Sequence, residues 1–134
     1  MSKCRSAVKE DIQKTVLITG AARRLGRAIA TDMAAHGFAI AVHANESMAQ
    51  AEEFANEIRQ NGGKAVAVQA DLTQSAPTMA LVEQAASALG PIGVVVNNAS
   101  VFLEDSADKP DPAIFDAHFS VHVRAPSLIA AAFV

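Results

Sequence analysis

The sequence predicts an α/β fold, a doubly wound parallel sheet of about four strands with helices on both faces. Two observations carry this prediction. Short apolar, β-branched segments alternate with longer amphipathic segments from Thr15 onward, in the order β-α-β-α-β-α-β-α. The short segments are apolar at consecutive positions, which is typical of strands that are covered on both faces in a parallel sheet.

Each element has its own local signal. Continuous apolar stretches predict the four strands, which are Thr15–Thr19, Phe38–Val42, Ala65–Val68 and Gly93–Val96. Apolar residues at helical spacing predict three helices between them, and these end at His36-Gly37, Asn61-Gly62-Gly63 and Gly90-Pro91. Asp111-Pro112 predicts the start of a short fourth helix, and a last helix is predicted from Val121 to Val134, with Pro126 early in it.

The 134 residues correspond to one domain. Residues 1–14 are polar and contain no apolar run typical of a signal peptide, so they are predicted to be a mobile lead before a domain at 15–134. The last helix has no cap and no strand after it, and four strands alone would leave the sheet edge beside Val94–Val96 unpaired. We therefore expect the domain to be truncated at its C-terminus.

The composition restricts the function classes. Hydrophobic residues make up 51% and charged residues 19%, as in a globular domain. The net charge of −3 and an aromatic content of 4% give no basis for binding nucleic acid or an anionic membrane surface. The single cysteine, Cys4, can form neither an intrachain disulfide nor a cysteine metal site, which favours a reducing, cytoplasmic location. The expected partner is a small molecule, without a metal.

The segment Thr19–Gly26 connects the first strand to the first helix and reads Thr-Gly-x-x-x-Arg-Leu-Gly. Gly20 allows the backbone to bend and approach a ligand, and the helix N-terminus offers free N–H groups and the positive end of a dipole. A glycine turn between a strand and a helix therefore predicts a Rossmann-like nucleotide phosphate site, although the G-x-G-x-x-G spacing is absent.

Two further motifs complete a resemblance. Asp71-Leu72 follows the third strand, and Asn97-Asn98-Ala99-Ser100 follows the fourth. Together with the glycine turn, they make the chain from Thr15 onward resemble the short-chain dehydrogenase/reductase family. Most members have glycine where Arg24 and Ser100 stand, and these two departures resemble the pteridine-reductase-like branch. The resemblance implies NAD(P)H-dependent hydride transfer to a pteridine-like or carbonyl substrate.

The resemblance also implies site residues at the phosphate end. Gly20, Leu25 and Gly26 would bring the backbone to the pyrophosphate. Arg23 would meet the 2′-phosphate of NADP, and Arg24 would contact both a cofactor phosphate and the pterin ring. The alternative for the two arginines is a pair of solvated loop residues.

A second group of residues is implied along the rest of the cofactor. Asp71 and Leu72 would lie at the adenine, although Asp71 could instead cap a helix near Thr73. Asn98 and Ala99 would lie along the ribose while Asn97 braces the sheet. Nicotinamide and substrate would face Ser100 and Phe102, and the alternative for Phe102 is ordinary loop packing.

The end of the second strand decides the choice of cofactor. Ala44 stands where NAD-specific members place an acid. Arg23, His43 and Ser47 favour NADP, with His43 near the ribose, and Asn45 is also expected to bind the cofactor. Glu46 would repel the 2′-phosphate of NADP. The balance favours NADP(H), with NAD(H) left open.

The catalytic part is incomplete. The family transfers a proton through a Tyr-x-x-x-Lys pair, and this chain contains no tyrosine, so the chain alone is expected to be inactive. His122 occupies the position of the family's relay asparagine, although it could equally be a packed histidine, and His118 is predicted to be a surface or partly packed residue.

Two alternative functions stay open beside this interpretation. The chain could be a catalytically silent dinucleotide-binding or interaction module, or the parent could be a general ketone or 3-oxoacyl reductase. The resemblance also implies a homo-oligomeric parent that associates through the helix beginning near Val121.

Overall fold

The computed structural model describes residues 12–134, so Cys4 and most of the predicted lead lie outside the described residues. Four parallel strands form one sheet in the order β3-β2-β1-β4. They are β1 (Thr15–Ile18), β2 (Ala39–Ala44), β3 (Ala65–Gln69) and β4 (Val94–Val96). Because all four run in the same direction, their carboxyl ends meet at one edge, where the loops that follow them come together.

Helices cover both faces of the sheet, as the sequence predicted. They are α1 (Arg24–Ala35), α2 (Met48–Gln60), α3 (Ser75–Leu89), α4 (Pro112–Phe119) and α5 (Ala125–Phe133). Alternate residues of β1 divide between two cores. Val16 and Ile18 pack with α1 and α2, whereas Leu17 packs with α3 and α5. This division explains why β1 is apolar from Val16 to Ile18.

Several strand boundaries differ from the predicted ones by one or two residues, and two of these differences lie next to the candidate site. β1 ends at Ile18, and Thr19 already belongs to the turn. β2 continues past the predicted Val42 to Ala44, because His43 and Ala44 pair with Val68 and Gln69 of β3. The polar His43 therefore lies inside a buried strand, a placement that its residue type does not favour.

The last two predicted helices are one continuous helical segment. A π-helical turn, Ser120–Arg124, connects α4 directly to α5, and the residues at both joints keep right-handed helical φ and ψ. Pro126 stands in the first turn of α5. A proline has no N–H to donate, so the wider turn before it accommodates the missing bond without ending the helix.

β4 is an edge strand in the described part of the chain, pairing only with β1. Of the helices in residues 12–134, none has the length and apolar character needed to cross a membrane.

Candidate functional site

The glycine turn lies at the carboxyl end of β1 and leads into α1. Gly20 has a φ of +65°, and a Cβ atom there would lie 3.0 Å from the Cα of Ala99. A Cβ at Gly26 would overlap the carbonyl oxygen of Gly20 and the side chain of Asn98. Both glycines are therefore required by the packing of the turn itself. Arg23 at the N-cap makes no side-chain bond to the helix, so the N–H groups of the first turn are not capped by a side chain.

Arg24 has an unusual backbone conformation. Its φ of +53° lies in the left-handed region, and within residues 12–134 no other non-glycine residue has a positive φ. This conformation costs an L-residue about 1–2 kcal/mol. Its neighbour Arg23 is extended, with φ −146° and ψ 165°. Both arginines are exposed, so two cationic side chains stand at the start of α1.

His43 connects three loops at the carboxyl edge. Its side chain is 2% exposed. Nδ1 accepts a hydrogen bond from the Gly20 N–H at 3.0 Å, so the neutral ring carries its proton on Nε2 and donates to the Ala70 carbonyl at 2.9 Å. Burial lowers the pKa of His43, and the hydrogen bond to Ala70 opposes that effect. His43 was expected near the cofactor ribose, and the structure shows that both of its ring nitrogens bond within the protein. The ring instead holds Gly20 in place.

Thr19 joins the ends of β1 and β4. Its hydroxyl donates to the Val96 carbonyl at 3.4 Å and accepts from the backbone N–H groups of Asn98 and Ala99, each at 3.0 Å. The side-chain amide of Asn98 donates to the carbonyl oxygens of Thr19 and Gly20, at 2.9 and 3.1 Å. Thr19 was not among the expected site residues, and its position between an apolar strand and Gly20 was the available signal.

The asparagine that braces the sheet is Asn98, and not Asn97 as expected. Asn98, expected along the ribose, directs its side chain to the glycine turn and braces the sheet. Asn97, expected to brace the sheet, is exposed and lines a cavity. Side chains alternate along an extended segment, so only one of two consecutive asparagines can face β1.

The segments after β2 and β3 lie next to each other. Asn45 and Glu46 are exposed, Ser47 is half-buried, and the Gln69 side chain donates to the Asn45 carbonyl at 2.8 Å. Oδ1 of Asp71 accepts from the N–H and hydroxyl of Thr73, at 2.9 and 2.7 Å. Asp71 therefore stabilises the turn before α3 through Thr73, which resembles the alternative that it caps a helix there. The N-cap residue of α3 itself is Gln74. No bond to Oδ2 of Asp71 is present in the described residues. Leu72 is buried in the core beneath.

The loop after β4 is held by two histidines of the helical segment. The N–H of Val101 donates to Nε2 of His122 at 3.3 Å, and the Ser100 hydroxyl lies 3.0 Å from the same nitrogen. The N–H of Leu103 donates to Nε2 of His118 at 2.9 Å. Phe102, between the two bonded groups, is 89% exposed. His118 therefore contacts the loop that carries the expected substrate residues, a role that the sequence reading missed.

A cavity of about 290 Å³ opens between these parts at the carboxyl ends of β1 and β4. Polar groups of Thr19, Asn97 and His122 lie on its wall, and its apolar lining comes from Leu72, Ala99, Val121, Ala125, Pro126 and Ile129. The structure therefore brings together the glycine turn, the segment after β4 and His122 around one space. Arg23, Arg24, Asn45 and Ser47 are not in its lining.

The family model for short chain dehydrogenase matches residues 14–134, nearly the whole described chain. The chain belongs to the short-chain dehydrogenase family. Among curated relatives, the hydroxynaphthalene reductase-like protein Arp2 of Metarhizium guizhouense is 32% identical over 117 residues, 87% of this chain. An uncharacterized oxidoreductase of Methylorubrum extorquens is 37% identical over 109 residues, 78% of this chain. The chain spans 44% of the length of each.

Solved structures of similar proteins have the same fold over the part that they share with this chain. FolM alternative dihydrofolate reductase 1 from Brucella suis, in complex with NADP, superposes with a TM-score of 0.85 at 46% identity, covering 89% of this chain and 49% of that one. A blue fluorescent protein from a metagenomic library, in complex with NADPH, has a TM-score of 0.84 at 32% identity, covering 88% and 49%. The Rossmann-like fold is thus confirmed over the part that these proteins share.

Proposed function

We propose that the protein containing this chain is an NADPH-dependent reductase of a pteridine-like substrate. The observation that carries the proposal is Arg24, held at φ +53° in the phosphate turn, where most short-chain dehydrogenases have glycine. A costly backbone conformation that places a guanidinium at a ligand site favours a functional role. The 46% identical FolM protein supports the substrate class, since dihydrofolate contains a dihydropteridine ring.

The turn and its surroundings fit a dinucleotide. The uncapped N-terminus of α1 offers N–H groups to a pyrophosphate, and Leu25 and Gly26 lie in that first turn. Exposed Arg23 supplies a positive charge for a 2′-phosphate, with Asn45 and Ser47 as hydrogen-bonding groups after β2. Exposed Glu46 opposes an added phosphate. Several similar structures contain NADP or NADPH, which supports NADP(H) over NAD(H).

The remaining assignments follow the family resemblance. Asp71, through Oδ2, and Leu72 would border the adenine. Backbone groups of Asn98 and Ala99 would border the ribose, while Ser100 and Phe102 would face the substrate. The nicotinamide supplies the hydride when the cofactor is bound. His43 and Thr19 do not need to touch the cofactor. They fix the positions of Gly20 and of the segment after β4, respectively.

A substrate comparison tests the proposal. The native protein containing this chain is assayed for NADPH and NADH oxidation with a quinonoid dihydropteridine and with a cyclic ketone. We expect NADPH and the dihydropteridine to give the larger kcat/KM. Arg24→Gly should lower the pteridine-to-ketone ratio of kcat/KM about tenfold, because a charged hydrogen bond contributes about 1.5–3 kcal/mol.

A second candidate is a carbonyl reductase, which the 32% identical hydroxynaphthalene reductase-like protein favours. A larger kcat/KM with the ketone, unchanged by Arg24→Gly, would support that function and contradict the pteridine proposal. Binding of NADPH without turnover of either substrate would support a silent dinucleotide-binding module. A preference for NADH would contradict the proposed cofactor and would leave the proposed substrate class unaffected.

A further inference from the structure

Two imidazoles on one helical segment hold the loop after β4. His118 lies in the last turn of α4 and His122 lies in the π-helical turn that follows. Their rings meet edge to face, with centroids 5.6 Å apart. Each ring uses Nε2 to accept a backbone N–H, from Leu103 and Val101 respectively. The N–H groups of Val101 and Leu103 lie on either side of Phe102, so the two histidines hold the loop both before and after Phe102.

These bonds define the protonation of both rings. A nitrogen that accepts an N–H bond has no proton, so each neutral ring must carry its proton on Nδ1. The Ser100 hydroxyl, 3.0 Å from Nε2 of His122, must then donate to that nitrogen. His122 therefore orients both the backbone and the side chain at the start of the loop, whereas His118 orients the backbone beyond Phe102.

We infer that His118 is a positioning residue for the substrate loop Ser100–Leu103, acting through the Leu103 N–H. Substrate contact is assigned to Ser100 and Phe102 by the proposed function, on which this inference rests. The bond from Leu103 removes freedom from the loop before substrate binds, and preorganisation lowers the entropic cost of binding. His118 itself does not need to touch the substrate or the cofactor.

Three variants separate positioning from general structure. His118→Phe keeps an aromatic ring but removes the acceptor. His118→Gln restores an acceptor, because its side-chain oxygen can take the place of Nε2. His36→Phe is the matched control, since His36 is an exposed histidine at the end of α1 whose bonds, among residues 12–134, stay within that helix.

Kinetics of the native protein give the first readout. We expect His118→Phe to raise KM for the dihydropteridine about fivefold, the loss expected for one hydrogen bond, with kcat within about twofold. His118→Gln should return KM to within about twofold of the original value, and His36→Phe should leave both constants unchanged. An unchanged KM in His118→Phe, or a loss confined to kcat, would overturn the inference.

NMR spectroscopy gives a readout that does not depend on turnover. We expect the ¹⁵N shifts of His118 to show an unprotonated Nε2 and a protonated Nδ1. Hydrogen exchange of the Leu103 amide should be about fivefold faster in His118→Phe. A proton on Nε2, or unchanged exchange at Leu103, would overturn the inference. If neither substrate is reduced while these NMR results hold, only the proposed function fails.

Discussion

Arg24 combines an unfavourable backbone conformation with a proposed role in binding the substrate. Glycine adopts its φ of +53° without the steric cost that arginine bears. We therefore expect Arg24→Gly to raise the free energy of unfolding by about 1 kcal/mol in urea denaturation, even as it harms the proposed pteridine activity.

The adjacent arginine provides the control for this prediction. Arg23 is extended at φ −146°, so Arg23→Gly relieves no strain and adds freedom to the unfolded chain. It should lower the free energy of unfolding by about 0.5–1 kcal/mol. Equal changes in the two variants would contradict the role of the left-handed conformation.

His43 makes stability depend on pH. Burial lowers its pKa in the folded state below the ordinary value of 6.5, so the unfolded chain binds the proton first as pH falls. Stability is therefore retained above pH 6.5 and is lost as pH falls from 6.5 through the folded pKa, with a slope of at most about 1.4 kcal/mol per pH unit.

The variant His43→Asn isolates this contribution. Asparagine can still accept from the Gly20 N–H but does not titrate. The difference in unfolding free energy between the two proteins, measured in urea from pH 7.5 to 5, should narrow as pH falls. A constant difference would contradict the assignment to His43.

At the scale of elements, the hydroxyl of Thr19 connects β1 to the loop after β4. Thr19→Val leaves the backbone N–H groups of Asn98 and Ala99 without their acceptor. We expect a loss of about 1 kcal/mol of unfolding free energy in urea, because an unsatisfied buried donor costs about 1–3 kcal/mol and these two donors are only partly buried.

Two variants test whether the hydroxyl itself is responsible. Thr19→Ser keeps it and should recover most of the loss. Thr31→Val removes a comparable hydroxyl on the exposed side of α1, where it bonds the Arg27 carbonyl, and should cost less than about 0.5 kcal/mol. A loss in Thr19→Ser as large as in Thr19→Val would contradict the prediction.

At the scale of the whole molecule, an apolar face of the helical segment is exposed. Phe115 is 65% and Phe119 50% exposed, and their rings stack with centroids 6.2 Å apart, with exposed Val123 one turn further. Phe115 and Phe119 lie in α4, just before the helix from Val121 through which the family resemblance implies association, and Val123 lies within that helix. We propose that a second copy of the chain covers this apolar face.

Sedimentation velocity of the native protein tests this proposal. We expect a homo-oligomer that Phe119→Glu dissociates, raising the apparent Kd at least about tenfold by placing a charge in an apolar contact. Met79→Glu, which changes a 55% exposed residue on α3, should leave the mass unchanged. An unchanged mass in Phe119→Glu would contradict the proposal.

The sequence by itself determined the elements and the glycine turn. Leu17 and its neighbours in β1 are apolar because both faces of the strand are buried, and Gly20 precedes a helix start, so both signals are local. The three motifs also indicated the short-chain dehydrogenase family, and the family model that matches residues 14–134 confirms it.

Only the tertiary structure decided which hydrogen-bond partner each polar residue has. Thr19 and Ala99, 80 positions apart, meet because β1 pairs with β4, and that pairing selects Asn98 over Asn97 as the brace. His43 bonds Gly20 and Ala70 because β2 lies between the ends of β1 and β3. A side chain's partner depends on which groups the packed sheet brings within about 3 Å, and residue type alone does not contain that distance.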